Sequence, residues 1–378
     1  MKYRTFGRTG EKVSLFGFGT MRLPSVDREY GQIDEEEAIR MIRRAADSGV
    51  NYFDTAYMYH KGTSEAVLGK ALKDGYREKV FIADKMPLWL AKKEGGFEVI
   101  FENQFKRLGV DYIDFYLVHS LSEISWQKVK EKGLMPYLEK MKAQGRIGKI
   151  GFSFHDNLDV FKKIVDEYPW EFCQIQLNYM DSEFQAGIEG LKYAGKKGLP
   201  VIIMEPLKGG KLTREIPDTV QALWDKAPVK RTPAEWALRY VADFPEVLTI
   251  LNGVSTMDQL EENMRILSEA DPDSLSAEER SIIKQAADEY NRLIKASCTN
   301  CRYCMPCPQG ISIPDAMDLY NQWHLYHAFA PIKREYDMNM PEGKRPSNCA
   351  GCKACEAKCP QHLPISKILS EAAEIFEK

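Results

Sequence analysis

Two runs of cysteines have the residue types and spacing of a metal site. The first run reads C-x-x-C-x-x-C-x-x-C-P and the second reads C-x-x-C-x-x-C-x-x-x-C-P. In order, their members are Cys298, Cys301, Cys304 and Cys307, then Cys349, Cys352, Cys355 and Cys359. The second spacing is that of thiolate ligands to a 4Fe-4S cluster, and the first is one residue shorter before its last cysteine. Eight ligands therefore predict two 4Fe-4S clusters.

The pairing of the ligands follows a general rule. Where a chain holds two such clusters, the fourth cysteine of each run serves the other cluster. The rule groups Cys298, Cys301 and Cys304 with Cys359, and Cys349, Cys352 and Cys355 with Cys307. The shortened first run leaves one cluster as an alternative to two. Structural zinc is a rival, but zinc generally takes two separated C-x-x-C pairs, so the spacing favours iron and sulfide.

Four titratable residues lie at or just beyond the ends of predicted strands. They are Asp54 in NYFDTA, Tyr59 in the loop after it, Lys85 in KVFIADKM and His119 in IDFYLVHS. A tyrosine normally ionises near pH 10, so its hydroxyl is a poor acid at neutral pH unless a cation stabilises the phenolate. Lys85 would supply that cation, Asp54 would hold the lysine, and His119 would bind the substrate oxygen. The set predicts proton donation to a carbonyl, with the hydride left to a cofactor.

The elements that position these residues alternate between short β-rich runs and amphipathic stretches. The predicted strands are 13–19, 51–56, 79–86, 113–120, 147–154, 171–178, 200–206 and 247–254. Alternation predicts a parallel sheet, and eight repeats over about 250 residues predict an α/β fold of the closed (β/α)8 TIM-barrel type. An open doubly wound sheet is the runner-up. Against it, no G-x-G-x-x-G follows the first strand.

Helix signals suggest where the chain divides. Asp34 and Gly49 are typical of the start and end of the first helix, and Ser276 with Glu279 predicts a capping box at the start of a later one. We predict the barrel over residues 1–270, a linking helix over 271–297 and a small, mainly α-helical iron-sulfur domain over 298–378. The last helix is expected from about Ser366.

Several motifs resemble those of the aldo-keto reductases over roughly residues 1–270. They are FDTAYMY, SEAVLGKAL, IADKM, DYIDFYLVH, GRTGEKVSLFGFGTMRL, QIQLNY, EPLKGGKL and GVSTMDQLEEN. The resemblance implies a barrel that binds NADP(H) or NAD(H) without Rossmann glycines, and a catalytic tetrad on the four titratable residues. The tail resembles the α-helical ferredoxin domains that accompany one bacterial and archaeal branch of this family.

The resemblance also implies how the cofactor and substrate are bound. Ser153 and Gln176 would bind the nicotinamide carboxamide, Leu207 and Gly209 would lie along the pyrophosphate, and Asn263 would meet the adenine. The substrate pocket would be lined by side chains of loops, namely Met21, Met58, Trp89, Trp126 and His155.

The chain departs from the family pattern at positions that bear on cofactor choice. Gly253 and Gln259 stand where many members place Lys and Arg against the 2′-phosphate of NADPH, and Arg265 is a candidate substitute. Met204 stands where many members stack an aromatic ring on the nicotinamide. The preference between NADPH and NADH therefore stays open.

Composition limits the class of partner. The chain has 378 residues, of which 44% are hydrophobic and 28% charged, with a net charge of -3, as in ordinary globular proteins. The balanced charge argues against nucleic acid, and no apolar run has the length of a membrane span or signal peptide. Clustered cysteines without an export signal predict reduced thiols and a cytoplasmic protein.

Two functions from different classes are consistent with these features. The leading prediction is an NAD(P)-dependent oxidoreductase that interconverts a small-molecule carbonyl and an alcohol, with two 4Fe-4S clusters on its tail. The alternative is an electron-transfer module in which the clusters exchange electrons with a redox protein partner and the barrel only binds nucleotide. A nicotinamide delivers two electrons as hydride whereas a cluster cycles by one, and the sequence shows no flavin signature to connect them.

Overall fold

A computed structural model of the protein describes residues 1–7, 9–26, 32–91, 96–213, 216–326 and 329–378. Among these residues, an antiparallel hairpin of β1 (Tyr3–Thr5) and β2 (Lys12–Ser14) precedes a closed barrel of eight strands. The barrel strands are β3 (Phe16–Gly19), β4 (Tyr52–Asp54), β5 (Phe81–Met86), β6 (Ile113–Leu121), β7 (Ile147–Phe154), β8 (Phe172–Gln176), β9 (Val201–Met204) and β10 (Val247–Asn252).

The barrel strands are parallel, and β10 pairs with both β9 and β3 to close the cylinder. The predicted (β/α)8 fold is confirmed, and the open-sheet alternative is wrong. Each predicted run contains one barrel strand, except that β6 extends one residue beyond its run, to Leu121. The first predicted run differs in detail, because it divides between β2 of the hairpin and β3 of the barrel. At the break, Ser14 Oγ donates to the carbonyl of Phe16 and Ser14 N donates to Asn51 Oδ1, which bends the chain away from the hairpin.

The helices alternate with the barrel strands and then continue into the tail. They are α1 (Glu35–Asp47), α2 (Ser64–Ala71), α3 (Phe97–Leu108), α4 (Glu123–Glu131), α5 (Leu134–Ala143), α6 (Leu158–Glu167), α7 (Gly187–Lys196), α8 (Asp218–Asp225), α9 (Pro233–Ala242), α10 (Met257–Glu269), α11 (Ala277–Leu293), α12 (Ile313–Tyr326), α13 (Phe329–Asn339) and α14 (Ile365–Phe376). Short 3-10 turns join several of them, including Tyr59–Gly62 and Lys208–Gly210.

The predicted helix signals act as expected. Asp34 caps α1 by accepting from the N–H of Glu37 at 3.1 Å, and Gly49 follows the helix with a φ of 87°. Ser276 and Glu279 form the predicted capping box of α11. These caps satisfy helix-end groups that would otherwise lack partners.

The described residues form two compact units. The first contains 1–206 and 234–275, and the second contains 207–233 and 276–378. The units therefore do not follow one another along the chain, because the segment after β9 belongs to the second. The boundaries at residues 270 and 297 stay predictions.

Each unit has its own apolar core. In the barrel unit, Tyr52, Phe115 and Phe172 fill the interior, and Phe6 of the hairpin packs edge-on against Phe115 with ring centroids 5.4 Å apart. In the second unit, α12, α13 and α14 bury a cluster of large side chains. Its members include Met317, Tyr336, Ile368, Leu369 and Phe376. Within the described part of the chain, no helix is both long and apolar enough to cross a membrane.

The register of the barrel brings the titratable residues to one mouth. Asp54 ends β4 and pairs with Ala83 of β5, so Lys85 follows two residues later on the same face of its strand. His119 lies near the end of β6, the next strand around the cylinder. The carboxyl ends of parallel barrel strands form the mouth where such folds place chemistry.

Close packing of α2 on the end of α3 yields a test of the fold. A Cβ added at Gly69 would lie 2.7 Å from the carbonyl carbon of Leu108, a backbone atom that cannot move cheaply. Gly69→Ala should therefore lower the free energy of unfolding by about 1–3 kcal/mol, although Gly to Ala usually stabilises a helix.

Chemical denaturation of the two proteins measures this change. Gly343→Ala is the matched control, since Gly343 has open space around its Cβ position. We expect the control to stay within about 0.5 kcal/mol of the parent. A Gly69→Ala protein as stable as the parent would contradict the close approach of these helices.

Candidate functional site

The buried ammonium of Lys85 contacts three groups at the barrel mouth. Its Nζ donates to Asp54 Oδ1 at 2.5 Å and to the carbonyl of Thr55 at 2.7 Å, and it lies 3.5 Å from Tyr59 Oη. The Lys85 side chain is 0% exposed. The structure therefore places a charged, anchored cation next to the tyrosine hydroxyl.

Tyr59 and His119 meet across the same mouth. Tyr59 begins the turn after β4 and is 8% exposed, and its ring forms a T-shaped contact with the His119 ring at a centroid distance of 6.3 Å. Trp89, which is 45% exposed, also contacts His119, with its ring centroid 5.1 Å from that of the imidazole. The four residues predicted for the tetrad are thus neighbours.

Burial shapes the electrostatics of the group. It raises the pKa of the Asp54 carboxyl, and Lys85 opposes this shift through its charge and hydrogen bond. Burial also holds the pKa of His119 well below its ordinary value, and the positive charge of Lys85 and the nearby His155 lower it further. His119 is therefore a neutral imidazole at physiological pH, able to hydrogen-bond without adding a second cation beside Lys85.

Arg107 of α3 holds the loop that presents Tyr59. Its guanidinium donates to the carbonyl of Tyr57 at 3.0 Å and to Glu65 Oε2 at 2.8 Å, and lies 4.0 Å from the centroid of the Tyr57 ring. The loop needs support because His60 and Lys61 have φ values of 49° and 56°, in the left-handed region. Sequence reasoning missed Arg107. Glu65 is part of the SEAVLGKAL motif, but the sequence alone did not indicate a role for its carboxylate.

A second carboxyl lies behind Lys85 on the outer face of β5. Asp84 is fully buried, and its Oδ1 accepts from the backbone N–H of Lys85 at 2.7 Å. Burial and the negative charge of Glu65 raise the pKa of Asp84 well above its ordinary value. Asp84 also lies within hydrogen-bonding range of Glu65, and so joins α2 to the strand that holds Lys85.

The residues predicted to bind the nicotinamide have fixed orientations. Ser153 Oγ accepts from the backbone N–H of Ser120 at 2.8 Å, and Gln176 Nε2 donates to Asp181 Oδ2 at 2.9 Å. Both side chains are buried at the carboxyl ends of β7 and β8. The structure thus puts polar side chains at the mouth, held by partners of their own.

Asn263 and Arg265 lie in the middle of α10 and have different surroundings. Asn263 is buried and donates to Asn252 Oδ1 at 3.2 Å. Arg265 donates to Glu235 at 3.1 Å and to Glu269 at 3.3 Å. The charge of Arg265 is therefore paired with carboxylates of the barrel helices, which weakens it as a substitute for the cations that bind a 2′-phosphate.

Another cation, which sequence reasoning missed, lies beside Gly253. A Cβ added at Gly253 would be 3.3 Å from Cγ and Cδ of Arg22. The backbone carbonyl of Arg22 accepts from Ser255 Oγ at 2.8 Å, which fixes the approach of the two loops. The glycine where many family members have a lysine leaves room for an arginine from the first loop.

Two of the residues predicted to line the substrate pocket, Trp89 and Trp126, lie in different surroundings. Trp89 lies beside the tetrad, as described above. Trp126 instead is buried among the helices, where its indole donates to Glu167 at 2.7 Å and its ring centroid lies 5.4 Å from that of Trp170. Its bulk thus packs α4 against α6.

Leu207 and Gly209 belong to the second unit. The carbonyl of Leu207 accepts from the N–H groups of Gly210 at 2.9 Å and Leu212 at 3.3 Å. Lys208, Gly209 and Gly210 have φ values of 48°, 70° and 89°. Successive residues in such turns form backbone concavities that suit anions, and glycine adopts this conformation at low cost.

One set of cysteines lines a common pocket in the second unit. Its thiols are Cys298, Cys301, Cys304 and Cys359, and its apolar wall comes from Ile313, Pro314, Met317, Leu363 and Ile365. This grouping is the one expected if the last cysteine of the second run joins the first three of the first run. Burial raises the pKa of Cys304 to about 12, and the adjacent Cys298 and Cys359 add to the shift. Crowded thiolates of this kind need the positive charge of a metal, so the pocket fits an iron-sulfur cluster.

The other four cysteines of the two runs differ in exposure. Cys307, Cys349 and Cys355 pack against the core of the second unit, and Cys352 is exposed. Across the described residues, no three His, Cys, Asp or Glu side chains converge as they would on a single metal ion. A 4Fe-4S cluster is larger than one ion, and its thiolates lie farther apart around it.

Comparison with known proteins adds independent information. The model of the aldo/keto reductase family matches residues 16–288, and the model of the 4Fe-4S dicluster domain matches residues 297–363. L-galactose dehydrogenase of Arabidopsis thaliana is 28% identical over 323 residues, covering 78% of this chain and 96% of its own. The NADH-specific methylglyoxal reductase of Escherichia coli is 24% identical over 339 residues, covering 77% of this chain and 100% of its own.

Solved structures agree with the family match. The holo form of an aldo-keto reductase from Bacillus halodurans superposes with a TM-score of 0.63 at 27% identity, covering 76% of this chain and 96% of the other. An aldo-keto reductase from Klebsiella pneumoniae in complex with NADPH gives a TM-score of 0.60 at 25% identity, covering 75% and 95%. The chain therefore belongs to the aldo/keto reductase family and has a C-terminal 4Fe-4S dicluster domain behind its barrel.

Proposed function

We propose that this oxidoreductase interconverts a carbonyl and an alcohol of a small molecule, using NADP(H) or NAD(H), with Tyr59 as the general acid. The observation that supports this most directly is the buried Lys85 Nζ, 2.5 Å from Asp54 Oδ1 and 3.5 Å from Tyr59 Oη. A cation held this close to a phenol stabilises its deprotonated form, which makes the hydroxyl a usable acid near neutral pH.

The protein's part in the reaction is a proton transfer. Tyr59 Oη gives its proton to the carbonyl oxygen as that oxygen gains negative charge, and the resulting phenolate faces the Lys85 ammonium. Neutral His119 hydrogen-bonds the same oxygen, and Asp54 keeps Lys85 charged and in place. In alcohol oxidation, the phenolate takes the hydroxyl proton back.

The nicotinamide, when bound, supplies or accepts the hydride at the substrate carbon. We assign its carboxamide to Ser153 and Gln176, its pyrophosphate to Leu207 and Gly209, and its adenine to Asn263. Buried polar side chains at the mouth and the backbone concavity at Lys208–Gly210 support this assignment. Both dinucleotides stay in the proposal, since one relative is named NADH-specific and one solved relative is a complex with NADPH.

We propose two 4Fe-4S clusters on the tail. Cys298, Cys301, Cys304 and Cys359 would hold the first, which is supported by the pocket that they share. Cys349, Cys352, Cys355 and Cys307 would hold the second. These ligands require reduced thiols, which favours the cytoplasm. The electron-transfer alternative, with a redox protein partner, needs no proton donor and so gives the tetrad no role.

Replacing the tyrosine hydroxyl tests the proposed acid. Tyr59→Phe should lower kcat/KM for carbonyl reduction about 10²-fold to 10⁴-fold, because the carbonyl oxygen loses its positioned proton donor. Steady-state kinetics with a panel of small aldehydes and ketones measures it, and tight NADPH or NADH binding should persist.

The matched control is Tyr193→Phe, which removes a partly exposed phenol of α7 that hydrogen-bonds Asp166 of α6, away from the barrel mouth. The control should keep the parental rate. Carbonyl reduction by Tyr59→Phe at the parental rate would remove Tyr59 from the mechanism. Bleaching of the cluster absorbance by NADPH or NADH without added flavin would favour the electron-transfer alternative.

The buried neutral state of His119 predicts a dependence of stability on pH. Its pKa in the folded chain lies well below the ordinary value of about 6.5, so the unfolded chain binds more protons once the pH falls below about 6.5. The free energy of unfolding should therefore decrease as pH falls from about 7 toward 5. His119→Gln should show a shallower decrease.

Denaturant titrations at several pH values measure both slopes. His60 adds a share of the same sign, because burial lowers its pKa to about 4, and that share remains in the variant. Equal slopes for parent and His119→Gln would mean that the imidazole is not held neutral by burial.

Metal analysis tests the tail. Protein purified without oxygen should contain about eight iron and eight sulfide per chain, because each 4Fe-4S cluster has four of each. Cys359→Ala should lose about four iron, since it opens the first pocket. Cys173→Ala, at a buried position in β8 outside both runs, should keep the full content. About four iron in the parent would mean one cluster, and zinc in place of iron would overturn the assignment.

A further inference from the structure

The segment 207–233 has an unexpected place in the fold. It follows β9 of the barrel in the chain, but it belongs to the compact unit that contains both cysteine runs. The segment begins with the turn at Lys208–Gly210, where we place the pyrophosphate. The proposed nucleotide loop is therefore built into the iron-sulfur unit.

Lys211 ties the start of this segment to the cysteine pocket. Its Nζ donates to Asp318 Oδ1 at 2.9 Å, and the Lys211 side chain is only 18% exposed. Asp318 lies on α12, next to Met317, which lines the pocket with the thiols. Gln322 donates to the other oxygen of Asp318 at 3.1 Å, which keeps the carboxylate oriented. The helix α12 thus contributes to the pocket wall and also holds Lys211.

The end of the segment is held as well. Its helix α8 packs against α11, and Arg231 forms an ion pair with Glu279 of α11. Both partners of that pair are largely buried. The chain runs from the end of α11 directly into Cys298. The nucleotide loop is therefore fastened on both sides to elements that support the first cysteine run.

Lys211 also acts on the pocket through its charge. Its ammonium is held by Asp318, the residue after Met317 of the pocket wall, so the charge pair lies beside the pocket of the four thiols. A cation at this range stabilises added negative charge, whether on a thiolate or on a reduced cluster.

We propose that Lys211 is a positioning residue that couples the nucleotide loop to the cluster site of Cys298, Cys301, Cys304 and Cys359. Assembly of that site orders α12, the Lys211–Asp318 pair then fixes the turn at Lys208–Gly210, and the preorganised turn binds the cofactor pyrophosphate more tightly. This inference rests on the proposed binding of NADP(H) or NAD(H) to that turn.

The physical reason lies in the cost of ordering the turn. Three successive residues with left-handed backbone are ordered only where their surroundings hold them, and a loop already in its bound conformation avoids that cost when the ligand arrives. Coupling of this kind is reciprocal, so nucleotide should also make the first cluster harder to lose.

The test uses Lys211→Met in the cluster-loaded protein. Removing the ammonium should raise the Kd for NADPH or NADH at least about fivefold, the lower end of typical coupling between sites. Fluorescence quenching by the nucleotide measures the Kd without catalysis. The same variant should lower the reduction potential of the first cluster in an EPR-monitored titration, because a neighbouring positive charge is gone. Asp318→Asn, which frees Lys211 from α12, should weaken binding in the same direction.

Lys284→Met is the matched control. Lys284 pairs with Asp288 at 2.8 Å on α11 in the same unit, and both side chains are well exposed. It should leave the Kd and the potential unchanged. If Lys211→Met loses iron, its Kd no longer tests the coupling, and the Kd values of Lys211→Arg and Asp318→Asn are used instead. Lys211→Arg keeps the positive charge and should bind the nucleotide as tightly as the parent.

Two negative results have different meanings. A parent protein that binds neither NADPH nor NADH would remove the proposed function itself. A parent that binds nucleotide, with Lys211→Met and Asp318→Asn binding equally well at an unchanged potential, would overturn the coupling and leave the barrel chemistry in place.

Discussion

The proposed active site depends on one interaction, the buried ion pair of Lys85 and Asp54. An ammonium in a barrel interior is costly unless a partner compensates the lost hydration. Here the partner is the last residue of the neighbouring strand, and the carbonyl of Thr55 accepts a second hydrogen bond from the ammonium. The pair therefore exists because β4 and β5 are parallel, adjacent and in a register that places Asp54 beside the face of Lys85. The same cation gives Tyr59 its proposed acidity.

The groups around this pair have a structural purpose more than a chemical one. Arg107 and Glu65 hold the backbone of the loop that ends in Tyr59, and Asp84 joins that network to the strand behind Lys85. Without such support, the left-handed turn after Tyr59 would be free to relax. A small displacement of the phenol from its substrate would then lower the reaction rate strongly. Precise placement at the mouth is thus maintained from the helices outside it.

The cysteine unit raises a separate question, because hydride chemistry and one-electron clusters do not exchange electrons directly. The structure offers a connection that needs no such exchange. Segment 207–233 belongs to the unit that contains both cysteine runs, and its turn is where we propose that the nucleotide binds. Lys211 and Asp318 give that connection a specific, partly buried contact. A cluster domain can in this way influence nucleotide binding through the ordering of a loop. The charge on the cluster, which changes with its redox state, is a second influence on the same binding.

The sequence by itself determined the barrel, the strand end at Asp54, the place of His119 near the end of another strand, and the two runs of cysteines, because strand periodicity, helix caps and ligand spacing are local patterns. It did not reveal which distant side chains meet. Arg265 has the charge to bind a phosphate but is paired with Glu235 and Glu269, and Arg22 lies instead beside Gly253. Lys211 and Asp318 are 107 residues apart in the chain. Only tertiary packing decides such partners, since the cost of burying a charge depends on which opposite charge the fold brings within reach.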